Sequence, residues 1–449
     1  MLGLILLVFS SLFYYDYLYL VSLFIFCLLY LVCFFNLNYL VGFLYKFSIF
    51  SLSDISYYFL LLLCLLFIVL FVVGDFSYYL FSLLVLVFFV FFQFFISVNL
   101  LYILLYFEFS FVVIYLLIVF WGSNPERLES LSYFLIYSVC GSFPLFGVVS
   151  VLVFYFSGSF CLDCLLQLLL GLCFFCFSDY FWFFYIYSFV VVFGFYFKFP
   201  IWGLHSWLPK AHVESPYYGS ILLAGLMVKL GLYGVLYFYS CFLFFNISLT
   251  FLCFFISYLC FSLLFSNFST IRQYDLKSYI AYSSIVHMGL VSISFWSGSI
   301  VSVFGCLVLA VSHGCVSSLL FLGANFFYAG SGTRSLYLNR GYLYIYSLFV
   351  FFWFICLVLN SSVPFSLGFF SDFLLFYVSV QFLFTSSFFF VFNLFFCGLY
   401  CLYLYTVTSH GCASISLGFG SFSFCSLYLV LFFLVLFNSF FCLLLMFIS

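Results

Sequence analysis

Between Asp75 and Glu108 the chain carries no Asp, Glu, Lys or Arg, and runs of the same kind fill most of its 449 residues. Such stretches leave few ways to fold. Unbonded peptide groups are too costly in hydrocarbon, so only helices and closed barrels cross a membrane. Barrel strands alternate apolar and polar residues over about 10 positions, whereas a spanning helix needs about 20 predominantly apolar ones. The runs here are long and continuous, so the chain reads as an all-α polytopic membrane protein. Charged residues make up 4% of it, against about 25% in soluble domains. This leaves no soluble domain, and the absence of any basic patch excludes a nucleic-acid partner.

Hydrophobic runs fall near 3–14, 17–35, 55–73 and 76–98, punctuated by Asp16, Asn36, Asn38, Lys46, Asp54 and Asp75. Next come 100–121, which contains Glu108, and 132–155, after the polar loop GSNPERLES. Residues 160–177 are either an extension of that span or an apolar loop segment. A broken span over 181–209 carries Lys198, Pro200 and Pro209, and 216–239 carries Lys229 in its middle. Spans 242–265, 279–298 and 300–327 follow, with SNFSTIRQYDLK read as a loop after the first of them. Residues 342–376 are interrupted at Asn360–Pro364 and contain Asp372; 378–407 and 425–447 complete about 14 spans.

Lipid tolerates a broken helix only where protein covers it or water lines it, and an intramembrane lysine usually marks an ion path. Lys198 and Lys229 around a break therefore read as proton-handling machinery. Pro364, eight residues before Asp372, marks a second break in the other half. Discontinuous helices at corresponding places point to inverted repeats. Arg127, Lys210, Arg272, Lys277, Arg334 and Arg340 fall in four loops of the same parity. The positive-inside rule places those loops in the matrix or cytoplasm and both termini opposite.

Eighty-two Phe, 40 Tyr and 19 Cys accompany only 6 Pro and 6 Trp, the mark of a thymine-rich coding strand and hence of an organellar genome. Against that background the Cys161–Cys164 spacing is not read as a redox or metal motif. Residues 1–15 show no pattern of a cleavable presequence.

WGSNPERLESLSYFLIYSVCGSFPL (121–145), LHSWLPKAHVESP (204–216), LMVKLGLYG (226–234), IRQYDLKSYIAYSSIVHMG (271–289) and SHGCVSSLLFLGANFFY (312–328) stand in order. Together they resemble the antiporter-like membrane subunits of respiratory complex I, over about residues 100–410. The Phe-, Tyr- and Cys-rich background resembles kinetoplastid mitochondrial products. The resemblance implies antiporter-like inverted repeats with two discontinuous helices and a multi-pass place in the mitochondrial inner membrane. It divides the chain into N-terminal helices (1–98), a first repeat region (99–240), a second (241–410) and a C-terminal helix (411–449).

It also implies duties. Glu108 pairs with Lys198, and Lys229 is the central relay lysine. His205, His287 and His313 suit a relay because imidazole exchanges protons near neutral pH. Asp372 stands where the family usually carries a glutamate, one methylene longer. His212 is expected in a loop beside Lys210 and Glu214, and His410 at a surface. NADH, FMN, iron–sulfur clusters and ubiquinone would sit in other subunits, with no cofactor and no metal on this chain, since no Rossmann glycines, cysteine cluster or haem motif is present. Partners would be the other membrane-arm subunits, including antiporter-like subunits 2 and 5 and accessory subunits, and membrane lipids. Three other readings stand beside this one: a free-standing cation/proton antiporter, a structural membrane-arm subunit without its own proton path, and a generic solute transporter, for which no polar substrate pocket can be argued.

Overall fold

The computed structural model describes residues 52–74, 76–97, 99–122, 124–155, 181–242, 249–382, 384–412, 427–428 and 430–439. The expected runs 3–14 and 17–35, the segment 160–177 with Cys161 and Cys164, and the ends of 425–447 lie outside the described residues.

Helices α1 (Leu52–Val73), α2 (Tyr78–Ile96) and α3 (Leu100–Trp121) match the expected spans closely, whereas α4 (Arg127–Tyr155) begins five residues early, inside the stretch expected as a polar loop. They are followed by α5 (Phe181–Lys198), α6 (Trp207–Glu214), α7 (Tyr217–Leu222), a π-helical turn (Leu223–Met227) and α8 (Val228–Phe242). Then come α9 (Leu249–Ile271), α10 (Leu276–Phe295), α11 (Ile300–Ser331), α12 (Tyr342–Ile345), α13 (Ser347–Asn360), α14 (Leu367–Phe382) and α15 (Phe384–Ser409). Among the described residues nine helices or continuous helical segments are long and apolar enough to cross a membrane, and α13, α14 and Val430–Ser439 are shorter apolar helices.

Several boundaries differ from expectation for physical reasons. The span expected at 242–265 is α9, and its helix runs through the polar SNFSTI stretch to Ile271. Ser266, Ser269 and Thr270 spend their hydroxyls on carbonyls three residues back, at 2.8, 2.8 and 2.7 Å, and Asn267 donates to Asn393 Oδ1 at 2.7 Å. Their polarity is satisfied inside the protein, so it does not end the helix. Pro209 does not interrupt a helix either. It lies in the first turn of α6, where its missing N–H has no partner to lose. The break is confined to 199–206, where Pro200 and Gly203 (φ +95°) sit.

The chain forms two compact units from interleaved stretches. Unit one takes Met1–Gly122, Leu135–Lys198 and Leu226–Asn246; unit two takes Ser123–Phe134, Phe199–Gly225 and Ile247–Ser449. In unit one α3 packs on α2 and α8 on α5. Gly234 permits the second approach, since a Cβ there would meet Phe195 Cε1 at 2.2 Å. Tyr233 closes an aromatic cluster edge-on against Phe59 and Phe95, at 5.5 and 5.3 Å.

In unit two α10 packs against α9 and α11, and α11 lies along α14. At one end of this unit the four basic loops meet. Leu276 N–H donates to Arg334 O at 3.0 Å and Leu336 N–H to Tyr274 O at 2.8 Å, tying the loop before α10 to the loop after α11. Lys277 and Arg334 reach the end of α6, and Lys210 on α6 meets Glu129 on α4 at 3.4 Å. Three of the six basic residues behind the parity reading, Lys210, Lys277 and Arg334, thus have partners on or beside α6 or α4.

Candidate functional site

Unit one holds three of the expected carriers. Lys198 is the last residue of α5, and the break that follows it, not lipid exposure, ends that helix: its side chain is buried. Its Nζ donates to the Phe107 carbonyl at 2.6 Å and lies 3.3 Å over the Phe107 ring. Glu108, the next residue on α3, has its Oε1 buried with no protein partner. Among the described residues no ion pair of 4.0 Å or less joins Glu108 to Lys198; the lysine bonds the carbonyl beside the glutamate instead.

Lys229 is 0% exposed and is the second residue of α8, directly after the π-turn. A π-turn shifts the hydrogen-bond pattern by one residue and opens the backbone locally, and such turns are frequent at functional sites. No residue type announces one.

Unit two holds the histidines and the acid. His205 lies within the break, ahead of α6. Gly203 N–H donates to its Nδ1 at 3.2 Å, and its ring stacks on Trp202 at 4.4 Å and meets Tyr282 edge-on at 5.8 Å. His287 on α10 and His313 on α11 are brought together, with ring centroids 5.5 Å apart. His287 Nδ1 is buried without a protein partner. Asp372 is buried on α14, the helix lying along the one that carries His313, and its Oδ1 also has no protein partner.

The second break is where expected. It holds two non-glycine residues at positive φ, Ser362 (56°) and Phe365 (69°), a strained conformation that costs of order 1 kcal/mol or more each and clusters at functional sites.

A buried polar atom without a partner costs about 1–3 kcal/mol. Glu108 Oε1, His287 Nδ1 and Asp372 Oδ1 carry that cost, and each belongs to a group that takes and releases protons. Buried water making two to four hydrogen bonds is the usual remedy. Ser283 and Ser284, one turn before His287, do not supply it there: they donate to their own helix at 2.8 and 2.6 Å.

His212 is not the loop residue expected. It is fully buried on α6, its ring stacked on Phe321 at 4.8 Å and 9°. Two residues from Lys210 on a helix is about 200°, so it faces opposite that exposed charge. His410 is exposed, as read.

The sequence reading missed a clamp of ions at the end of α6. Arg334 Nη1 donates to Val213 O at 2.6 Å and to Glu214 Oε1 at 3.2 Å, and Lys277 Nζ donates to Ser215 O at 2.7 Å. Helix C-termini leave carbonyls unbonded and attract cations, which explains both contacts. Further out, burial lowers the Lys210 ammonium, but Tyr133 and Glu129 outweigh it and hold it above the ordinary lysine value. Among the described residues no three His, Cys, Asp or Glu side chains converge as a metal-binding set.

Residues 97–397 match the family NADH:quinone oxidoreductase/Mrp antiporter, TM. The NADH-ubiquinone oxidoreductase chain 4 of Locusta migratoria is 34% identical over 320 residues, covering 71% of this chain and 68% of that one. Chain 4 of Ceratitis capitata is 33% identical over 329 residues with the same coverage, and that of Arbacia lixula 37% over 273, covering 61% of this chain and 58% of that one. A chain from the solved structure of respiratory complex I from Thermus thermophilus with bound NADH superposes with a TM-score of 0.73 at 21% identity. It covers 86% of this chain and 81% of that one, a likeness of fold. The chain belongs to the NADH:quinone oxidoreductase/Mrp antiporter family of transmembrane proteins, and the relatives it matches are chain 4 subunits.

Proposed function

We propose that this chain is the chain 4 antiporter-like subunit in the membrane arm of NADH:ubiquinone oxidoreductase, and that it moves protons across the mitochondrial inner membrane. It is a multi-pass protein whose partners are other subunits of that complex, and antiporter-like subunits 2 and 5, accessory subunits and lipids would be its neighbours. NADH oxidation, FMN, iron–sulfur clusters and ubiquinone reduction would lie in partner subunits, and this chain would carry no redox centre.

The observation that carries the reading is the fully buried Lys229, placed directly after a π-turn in a segment buried throughout. A buried ammonium is retained in such a place at considerable cost, and proton transfer is what repays it. Glu108 and Lys198 would form the input pair. Movement of one changes the proton affinity of the other, because a nearby opposite charge and desolvation act in opposite senses on a buried group. The Lys198 ammonium is already bonded to the carbonyl of the residue beside Glu108. Lys229 would exchange protons along a hydrated line through His313 toward Asp372, with His287 beside His313 and His205 at the first break. The regions 99–240 and 241–410 would be the two repeats that alternate.

The test is proton pumping per NADH oxidised in sealed inner-membrane vesicles, parent against Lys229→Ala at matched complex content. Pumping lost with assembly intact supports the path through Lys229. Normal pumping in a fully assembled complex would make the subunit a scaffold.

A further inference from the structure

Nineteen cysteines look like a by-product of base composition, yet one of them stands where three helices of unit two meet. Cys397, on α15, is a buried free thiol. Its Sγ donates to the Asn360 carbonyl at 3.4 Å, lies 2.9 Å from Tyr400 Oη and 4.0 Å from His287 Nε2. Asn360 in turn donates its side-chain amide to Cys401 Sγ at 3.5 Å, and Tyr279 Oη donates to the Tyr400 carbonyl at 2.8 Å.

The Asn360 carbonyl has a specific need for that thiol. It ends α13, and the residue four positions on, which would donate to it in a continuing helix, is Pro364. Proline has no N–H. The thiol of Cys397 supplies the missing donor at the lip of the second break. A thiol has one proton. Once it is committed to Asn360 O, sulfur offers only lone pairs to its other neighbours, so the Tyr400 hydroxyl donates to it and His287 can bond to it only through an Nε2–H. In a neutral imidazole one nitrogen bears hydrogen and the other a lone pair, and the bond made by one decides the other. His287 Nδ1 is then the bare nitrogen. It is also the nitrogen found buried without a protein partner, in a side chain that is 3% exposed.

We infer that Cys397 is a positioning residue of the proton path: it holds His287 in its Nε2–H form, leaves Nδ1 as the atom that takes up and returns the proton, and ties that choice to the helix break ahead of Asp372. A proton arriving at Nδ1 makes an imidazolium that keeps its Nε2–H on sulfur, and the same proton leaves from Nδ1. Cys397 itself gains and loses nothing. The inference rests on His287 lying in the path, as proposed above.

The test uses the assembled complex in sealed inner-membrane vesicles. Protons pumped per NADH are followed against pH for the parent, His287→Gln, Cys397→Ala, Cys397→Val and Cys397→Ser at matched complex content. Removing the sulfur is expected to lower pumping about five-fold, the size of one buried hydrogen bond, and to displace its pH profile. Valine, which refills the space alanine empties and has no hydrogen-bonding atom, gives the same result if alanine weakens packing. Serine, which donates to the carbonyl and accepts from the imidazole, restores most of the pumping and the parent profile. A Cys397→Ala or Cys397→Val profile identical to the parent overturns the inference. So does a uniform loss at every pH that serine fails to rescue, since that is packing alone. If His287→Gln pumps normally, the path through His287 is what fails; if it does not pump while Cys397→Ala behaves as the parent, only the role of Cys397 fails.

Discussion

The two units place their proposed carriers in different chemical surroundings. Unit one uses full charges, Glu108, Lys198 and Lys229, in a setting of phenylalanine rings, with the Lys198 ammonium bonded to the Phe107 carbonyl. Unit two uses imidazoles and a single acid, set among serines, cysteines and tyrosines, with its ions gathered at one end. Charges in apolar surroundings act on one another over many ångströms. Glu108 and Lys198 can therefore respond to each other without an ion pair. Neutral imidazoles have no such reach and pass protons only through hydrogen-bond contact or an intervening water. Unit one is thus set by charge and unit two by geometry, and substitutions that keep one property while changing the other separate them.

The largest expected effect comes from Lys229→Arg. If unit one needed only a positive charge, arginine would serve. Arginine stays protonated at any working pH, so a carrier that must release its proton fails with it as fully as with alanine. Pumping per NADH is expected to fall ten-fold or more in both variants, about 1.4 kcal/mol per decade. Retained pumping in Lys229→Arg would make the lysine a fixed electrostatic element and erase the contrast with unit two.

The clamp of unit two gives the next largest. Arg334→Ala leaves Glu214, whose side chain is 6% exposed, without its ion-pair partner. Breaking a buried pair from one side costs about 3–5 kcal/mol, and removing both partners costs much less. The amount of assembled complex and the temperature at which it inactivates are expected to drop for Arg334→Ala. Both should recover partly in Arg334→Ala with Glu214→Ala. If the single and double variants behave alike, the clamp is not an energetic unit.

What could be read from the sequence follows the same division. Charge in lipid is conspicuous, so Lys198, Lys229 and Glu108 stood out against the apolar runs α3, α5 and α8 before any fold was known. Proline breaks were also visible, at Pro200 and at Asn360–Pro364. Geometry was not. The π-turn at Leu223–Met227 has no residue signature. Cys397 was hidden by the number of cysteines, although Pro364, by withholding an N–H from Asn360, was a sign that some donor had to be supplied. His212 was misjudged because its neighbours Lys210 and Glu214 are charged; the first faces outward and the second is neutralised by Arg334, a residue 120 positions away. Polar SNFSTI reads as a loop because the partner of Asn267, Asn393, is 126 positions away in the sequence.

Asp372 sharpens the comparison from the side of unit two. Asp372→Asn keeps the shape and removes the acid, whereas Asp372→Glu keeps the acid and adds one methylene, about 1 kcal/mol of crowding at the mild end. Pumping in the glutamate variant is expected to stay within about three-fold of the parent, and the asparagine variant to lose considerably more. Equal losses in the two would mean that the position of the side chain, not its proton, is what unit two requires there.

The smallest effect belongs to the exposed pair Lys210–Glu129, with side chains 41% and 68% exposed. The same two charge types that make the Arg334–Glu214 contact stand here at 3.4 Å, but in water. Exposed pairs contribute about 0–1 kcal/mol and are screened by salt. Lys210 also lies 3.3 Å over the Tyr133 ring, which adds about 0.5–1 kcal/mol at an exposed site. Lys210→Met keeps most of the aliphatic stem and removes the charge. It is expected to leave pumping unchanged and to lower the inactivation temperature of the complex by no more than a degree or so, less at high salt than at low. A loss as large as that of Arg334→Ala would mean that α6 is held to α4 as tightly as to α10 and α11, and that the ions of unit two act as one network in which exposure does not decide the strength of a contact.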